Sequence, residues 1–225
     1  MLAVVLSGGG AKGAYEVGVW KALRRLNIKY KIVTGTSIGA LNGMMMVQKD
    51  FYKCLRLWKS ISYDMLYDNF SKINNQKEMY LTYFNKIIDG GIGTEKIEKI
   101  IENNYRPNKL YNSKIQFGVV AYNITTRKVV YATKKNTQPN KLKKYILASA
   151  TCFPVFKPTK IGTDILVDGG YYDNLPINLA IDLGATEIIA VDLGAIGFHK
   201  KIRNKEIKIT YIQPNNKLDS FLMFD

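Results

Sequence analysis

The sequence has little histidine and cysteine and no long hydrophobic run. Its 225 residues include one histidine and two cysteines, Cys54 and Cys152, which are too few for a disulfide framework. We expect both cysteines to be core residues in a reducing compartment. No apolar run is long enough to span a bilayer, and Met1 leads directly into a predicted strand without a signal peptide. These absences predict a cytoplasmic protein.

Acidic residues are also scarce, since 33 lysines and arginines face 18 aspartates and glutamates, giving a net charge of +15. This excess favours anionic partners, either nucleic acid or anionic lipid head groups. The sequence contains no zinc-finger spacing, no ribonucleoprotein strand motif and no basic-region heptads. We therefore expect no specific nucleic-acid partner, and at most peripheral contact with an anionic membrane surface.

The order of predicted elements indicates a single α/β domain over residues 1–225, with a largely parallel central sheet in a three-layer sandwich. Gly90, Gly91 and Gly93 interrupt the chain, and two prolines exclude regular structure from 152–158. A polar and aromatic segment at 62–75 is interpreted as a lid. The strands are predicted at 2–6, 32–33, 115–122, 128–132, 165–167, 187–193 and 207–212. The helices are predicted at 14–26, 44–47, 50–61, 76–88, 94–104, 139–150 and 178–183.

A glycine-rich loop joins the first strand to the first helix, a geometry that presents backbone N–H groups to an anion. Its Gly-x-Gly-x-x-Gly spacing matches a dinucleotide fingerprint, but no acidic residue for a ribose occurs between Glu16 and Asp50. A phosphate-binding P-loop fails because Ala14 stands where Lys is required. The remaining interpretation is an oxyanion hole, whose candidate residues are Gly8, Gly9, Gly10, Lys12 and Gly13.

The pentapeptide Gly35-Thr36-Ser37-Ile38-Gly39 follows a β-branched, apolar segment. This Gly-x-Ser-x-Gly spacing is typical of a nucleophile elbow, in which a strand turns sharply into a helix and exposes a serine. We expect Gly35 and Gly39 to be required sterically, because a Cβ there would collide with the packed strand and helix. The pentapeptide alone also fits an ordinary strand-to-helix turn.

A nucleophilic serine needs a base, and the usual base is histidine. The single histidine, His199, lies in a basic, loop-like segment, which favours a solvated side chain. A carboxylate that contacts the serine directly can also accept its proton. Asp168 ends a predicted strand and precedes Gly169 and Gly170, although the same pattern fits a β-turn aspartate. The residues alone leave four competitors, Asp164, Asp173, Asp182 and Asp192.

Three linked motifs, 8–13, 35–39 and 168–170, resemble the patatin-like phospholipases in sequence and order. The resemblance implies a patatin-like fold, a dyad of Ser37 and Asp168, an oxyanion hole at the glycine loop, and hydrolysis of lipid acyl esters without a metal or cofactor. Many family members have Ala in place of Gly170. The chain also stops at Asp225, soon after a 214–224 segment that in relatives often leads into a further helix.

Two rival functions remain in view beside lipid acyl hydrolysis. The first is a dinucleotide-dependent oxidoreductase that uses the glycine loop. The second is a basic module that binds nucleic acid or membranes on an inactive hydrolase fold. The sequence leaves the head group, the acyl length, the positional preference and the oligomeric state open.

Overall fold

The computed structural model describes residues 1–61, 85, 88–216 and 218. Within them a central sheet of eight strands runs in the order β5-β6-β3-β2-β1-β7-β8, with β4 paired to β3. The strands are β1 Leu2–Leu6, β2 Ile32–Thr36, β3 Gln116–Asn123, β4 Lys128–Thr133, β5 Thr159–Ile161, β6 Asp164–Asp168, β7 Glu187–Val191 and β8 Lys208–Ile212.

Five neighbouring strands are parallel, in the order β3-β2-β1-β7-β8. The other three strands, β4, β5 and β6, join the sheet by antiparallel pairs. The register through β3 sets the site, because Thr36 pairs with Val120 and the next residue, Ala121, pairs with Asp168. Strand β6 is antiparallel to β3, which lies between β6 and β2. Through this register the last residue of β6, Asp168, lies near the carboxyl end of β2, which is followed by Ser37.

The described helices are α1 Ala14–Arg25, α2 Ile38–Val47, α3 Phe51–Ser60, α4 Glu95–Asn104, α5 Pro107–Asn112, α6 Pro139–Ser149 and α7 Ile177–Asp182. Each corresponds to a predicted helix except α5, whose six residues are too short for a clear period and begin at a proline. The short strand β5 was also not predicted. The predicted lid at 62–75 and most of the 76–88 helix and the 214–224 segment lie outside the described residues.

Successive side chains of β1 point to opposite faces of the sheet, and each face has its own hydrophobic core. Val4 and Leu6 pack with α1, α2 and neighbouring helices on one face. Ala3 and Val5 pack with α7 on the other face. Helices thus cover both faces, and the predicted three-layer α/β sandwich is confirmed. Each large apolar side chain that is fully buried contributes about 1.5–3 kcal/mol.

None of the helices in the described part of the chain is both long enough and apolar enough to cross a bilayer.

Candidate active site

Ser37 lies in the sharp turn between β2 and α2. Its backbone has φ 55° and ψ −125°, a conformation that costs a non-glycine residue about 1–3 kcal/mol. The Ser37 N–H donates to Ser149 Oγ at 2.9 Å, which helps to hold the turn. A Cβ on Gly35 would lie 2.3 Å from the Gly39 carbonyl oxygen, and one on Gly39 would lie 2.6 Å from the Leu6 carbonyl oxygen. The predicted steric need for both glycines is therefore confirmed.

Asp168 ends β6, and its buried carboxyl group lines the same cavity as Ser37. Burial raises the pKa of Asp168 to about 6, against the lowering effects of the Ser37 hydrogen bond and of the Gly170 N–H. The Gly170 N–H donates to Asp168 Oδ1 at 2.7 Å, and a Cβ on Gly169 would lie 2.3 Å from the Val120 carbonyl oxygen. The two glycines thus let the chain turn tightly around the carboxylate.

The other candidate bases lie elsewhere. Asp182 pairs with Arg203 at the surface, and Asp192 binds the Gly194 N–H and Gln213. Asp164 lies at the opposite end of β6, while His199 is exposed. Asp173 is fully buried and accepts from Tyr131 Oη at 3.1 Å. Of these six candidates, counting Asp168, only Asp168 lines the cavity that contains Ser37.

The glycine loop runs past Ser37, and a Cβ on Gly8 would lie 3.1 Å from Ser37 Cβ. The Gly8 N–H donates to the Asn174 carbonyl, and the Lys12 N–H donates to the Gly9 carbonyl. Among the described residues, no hydrogen bond engages the N–H groups of Gly9 and Gly10. Gly10 has φ 57°, a conformation that favours glycine. Gly13 does not line the cavity.

Ser37, Asp168 and the loop residues Gly8, Gly9, Gly10 and Lys12 line a cavity of about 810 Å³, within the range of small-molecule sites. Its walls are mainly apolar and include Leu41, Met44, Trp58, Ile97, Ile101 and Phe156. Met44, Met45 and Met46 are buried as predicted, although the first two also reach this cavity. Within the described residues, no group of three or more His, Cys, Asp or Glu side chains is placed to hold a metal ion.

The two cysteines differ in position. Cys54 is fully buried, as predicted, but Cys152 is only partly buried and lines the cavity, because the irregular 152–158 segment forms part of the wall. The prediction that Cys152 is a core residue was therefore wrong. Burial raises the pKa of each thiol to about 12, which keeps both neutral and weakly nucleophilic.

A family model described as patatin-like phospholipase matches residues 4–181. The chain belongs to the patatin-like phospholipase family. The match covers the glycine loop, the elbow and the Asp168 motif, the three segments that the sheet brings to one cavity.

Several curated proteins are similar to this patatin-like chain. Patatin-like phospholipase domain-containing protein 7 from Rattus norvegicus is 30% identical over 197 residues, covering 86% of this chain and 14% of the relative. Neuropathy target esterase sws from Drosophila melanogaster is 28% identical, with 86% and 13% covered. Lysophospholipase nte1 from Aspergillus terreus is 29% identical, with 86% and 12% covered. The chain therefore spans between about one-eighth and one-seventh of the length of these relatives.

The structure of VipD from Legionella pneumophila superposes on this patatin-like chain with a TM-score of 0.57. The alignment covers 94% of this chain and 49% of VipD, at 15% sequence identity. At that identity the likeness establishes a shared fold.

Asn42 on α2 joins the patatin-like glycine loop to the helices behind it. Its Nδ2 donates to the Gly13 carbonyl at 3.0 Å and to Glu16 Oε2 at 2.8 Å. Its Oδ1 accepts from Trp58 Nε1 at 2.9 Å and from Cys54 Sγ at 3.7 Å. Burial raises the pKa of Glu16 well above its usual range, against the lowering effect of the Asn42 hydrogen bond.

Sequence analysis missed both Asn42 and Glu16. One signal was available, because Glu16, Trp20 and Leu23 recur at the spacing of one helix face, and all three are buried. A carboxyl group on an apolar helix face needs a partner, but the sequence does not show that the partner lies on α2.

Replacing Asn42 with alanine is expected to lower the free energy of unfolding by about 2–4 kcal/mol. The variant removes the hydrogen bonds to the buried Gly13 carbonyl and the buried Glu16 carboxyl group. Denaturant unfolding of both proteins measures the change. Glu16→Gln is the control and is expected to cost under about 1 kcal/mol, since its neutral carbonyl still accepts from Asn42. Equal losses in the two variants would contradict this account, in which the Asn42 hydrogen bonds supply the stability.

Proposed function

We propose that this chain is a serine acyl hydrolase that cleaves fatty-acyl esters of lipids, including phospholipids, through a dyad of Ser37 and Asp168. The single observation that carries the proposal is that Ser37, held in a strained turn, and the buried Asp168 carboxyl group line one mainly apolar cavity. Family membership and the names of the relatives, an esterase and a lysophospholipase, support the same reaction class.

In the first half-reaction, Asp168 accepts the Ser37 hydroxyl proton as Oγ attacks the ester carbonyl carbon. The tetrahedral intermediate collapses, and the leaving alcohol takes the proton from Asp168. In the second half-reaction, Asp168 takes a proton from a water that attacks the acyl-serine carbonyl carbon, and this proton passes to Ser37 Oγ as the C–Oγ bond breaks and the fatty acid leaves. A carboxylate whose pKa is raised to about 6 by burial is a stronger base than an ordinary aspartate, which favours this role.

The developing oxyanion needs donors that are fixed before the reaction begins. We assign this role to the N–H groups of Gly9 and Gly10, which carry no hydrogen bond within the described residues, rather than to those of Gly8 and Lys12. The N-terminus of α2, directly after Ser37, adds a partial positive charge. The Lys12 side chain adds positive charge at the cavity wall.

The cavity wall favours an acyl chain, since its aliphatic and aromatic side chains can replace water around hydrocarbon. The net charge of +15 favours peripheral contact with anionic membranes, which should weaken as salt is added.

Release of fatty acid from phosphatidylcholine, lysophosphatidylcholine and a soluble short-chain ester by the purified chain tests the proposal. Release that requires Ser37 supports it. Failure on every ester by a folded protein would overturn it. Titration with NAD or NADP tests the oxidoreductase alternative, for which tight binding would be required.

The pH profile is expected to follow ionisation of Asp168. Only the carboxylate accepts a proton, so kcat/KM should rise with pH up to about 6 and level off above it. Below about pH 6, kcat/KM should fall about tenfold for each unit by which the pH is lowered. Initial rates on a soluble short-chain ester from about pH 5 to pH 8 measure the profile.

Asp173 provides the control, because burial raises its pKa to about 7, close to the same range. In Asp173→Asn the amide oxygen can still accept from Tyr131, so the profile should keep its midpoint. A midpoint that moves or disappears in this variant would assign the titration to Asp173 instead.

A further inference from the structure

Exposed apolar side chains surround the opening of the active-site cavity. The mouth loop, residues 194–198, follows β7 and lines this cavity throughout. Ile196 is 98% exposed and Phe198 is 67% exposed. Two further apolar residues stand at the same opening: Tyr171, which lines the cavity, and Phe153, whose carbonyl accepts a hydrogen bond from the Tyr171 hydroxyl. Both are also exposed.

Such a group is unusual on a protein that meets only water. Single exposed apolar residues are common, but several of them around one cavity mark an interaction surface. The mouth loop contains two glycines and holds Ile196 and Phe198 away from the core. Most of the surface of these two side chains contacts water, so their free energy falls when another apolar phase covers them.

Basic residues flank this apolar group. Lys200 and Lys201 follow the mouth loop directly, and both are exposed. Lys157 is exposed beside Phe156 in the cavity wall, and Lys12 lines the cavity itself. None of these four lysines forms an ion pair with another residue in the described part of the chain. Lys200 instead packs its Nζ 3.2 Å from the centroid of the Tyr172 ring.

We propose that the mouth loop and its flanking lysines form the surface by which this chain docks on an anionic lipid bilayer. Ile196 and Phe198 enter the apolar boundary of the bilayer, and Lys200 and Lys201 contact anionic head groups. The inference rests on the proposed lipid hydrolysis. It adds that the cavity opens directly onto the bilayer, so an acyl chain reaches Ser37 without crossing water.

The charge favours a bilayer over the other occupants of an apolar surface. A second copy of this chain would bring its own lysines against the same lysines, which repel. An anionic bilayer supplies apolar depth and negative charge together.

Flotation with vesicles of ether-linked phosphatidylcholine and ether-linked phosphatidylglycerol tests the proposal, because ether lipids cannot be hydrolysed. Phe198→Ser is expected to lower the vesicle partition coefficient at least about tenfold. Leu26→Ser is the matched control, since Leu26 is 68% exposed and lies after α1, near the edge where the parallel strands begin. The control should bind as the unchanged chain does, and circular dichroism verifies the fold of both variants.

The lysines are tested separately. Lys200→Gln with Lys201→Gln should weaken binding to phosphatidylglycerol vesicles by about fivefold for each lysine, and leave binding to pure phosphatidylcholine unchanged. Lys29→Gln with Lys31→Gln, two exposed lysines before β2, is the matched control. This control variant should lose clearly less binding to phosphatidylglycerol vesicles than the variant at Lys200 and Lys201.

Equal binding by Phe198→Ser and Leu26→Ser would overturn the proposal. So would a dimer that Phe198→Ser converts to a monomer, because the surface would then serve self-association. The outcome is separable from the proposed function. If Phe198→Ser loses flotation but the unchanged chain hydrolyses no ester, the docking surface is retained and the proposed enzyme is rejected. If the unchanged chain hydrolyses esters but Phe198→Ser floats as well as it does, the enzyme is retained and the docking surface is rejected.

Discussion

Replacing Ser37 with alanine is expected to lower ester hydrolysis by at least about 10⁴-fold, because no other group in the dyad can form the acyl-enzyme. The fold should survive. Alanine keeps the Cβ and the positive φ of Ser37, and the N–H that donates to Ser149 is retained. Fatty-acid release and thermal unfolding, measured on the same preparation, test both parts.

Ser60→Ala is the matched control for this variant. Ser60 is exposed, donates to the nearby Leu57 carbonyl and does not line the cavity. It should keep full activity. Substantial hydrolysis by a folded Ser37→Ala protein would mean that Ser37 is not the nucleophile.

Replacing Asp168 with asparagine is expected to lower hydrolysis by about 10³–10⁴-fold and, at pH 8, to stabilise the fold. Burial raises the pKa of this carboxyl group from an ordinary value of about 3.9 to about 6, so the folded state disfavours the charge by about 3 kcal/mol above pH 6. Asparagine carries no charge and can still accept from the Gly170 N–H. At pH 8 the free energy of unfolding of Asp168→Asn should therefore exceed that of the unchanged chain by about 3 kcal/mol.

The sign of the pH dependence follows from the raised pKa. Below about pH 4 the aspartate is neutral in both the folded and unfolded states, so the stability difference between the variant and the unchanged chain should vanish there. It should grow between about pH 4 and 6 and remain constant above. Denaturant unfolding at several pH values measures it. A variant that is less stable than the unchanged chain at pH 8 would contradict a desolvated, ionised Asp168.

Much of the fold was predictable because its signals are local. Continuous apolar, β-branched segments and helical periods identify most of the strands and helices, and glycines mark where β1 and β2 turn into helices. The antiparallel additions were harder to predict. Strand β5 is three residues long and follows two prolines, so neither its length nor its composition separates it from a loop.

The elbow was predictable for the same reason, since Gly35 and Gly39 are required by contacts within a few residues of Ser37 or with β1. The choice of Asp168 was not settled by residue pattern alone. Asp164 begins β6, Asp182 ends α7 and Asp192 follows β7, so position at the end of an element does not single out Asp168. Only the pairing of Ala121 with Asp168 and of Val120 with Thr36 shows which carboxylate lies beside the serine.

The glycine loop shows a second limit of sequence reasoning. The sequence treats Gly8, Gly9 and Gly10 as equivalent donors, but the Gly8 N–H is engaged by the carbonyl of Asn174, far along the chain. Asn42 and Glu16 show the same limit, because their partners lie on other helices. Contacts between distant segments decide such roles, and no local pattern encodes them.

The central claim is that Ser37, activated by Asp168, is the nucleophile. The most direct measurement is reaction with a fluorophosphonate, in which a serine oxygen displaces fluoride from phosphorus, followed by mass spectrometry of the labelled peptide. We predict one adduct on Ser37, no labelling in Ser37→Ala, and much slower labelling in Asp168→Asn. An adduct on another residue, or labelling that persists unchanged in Ser37→Ala, would contradict the account.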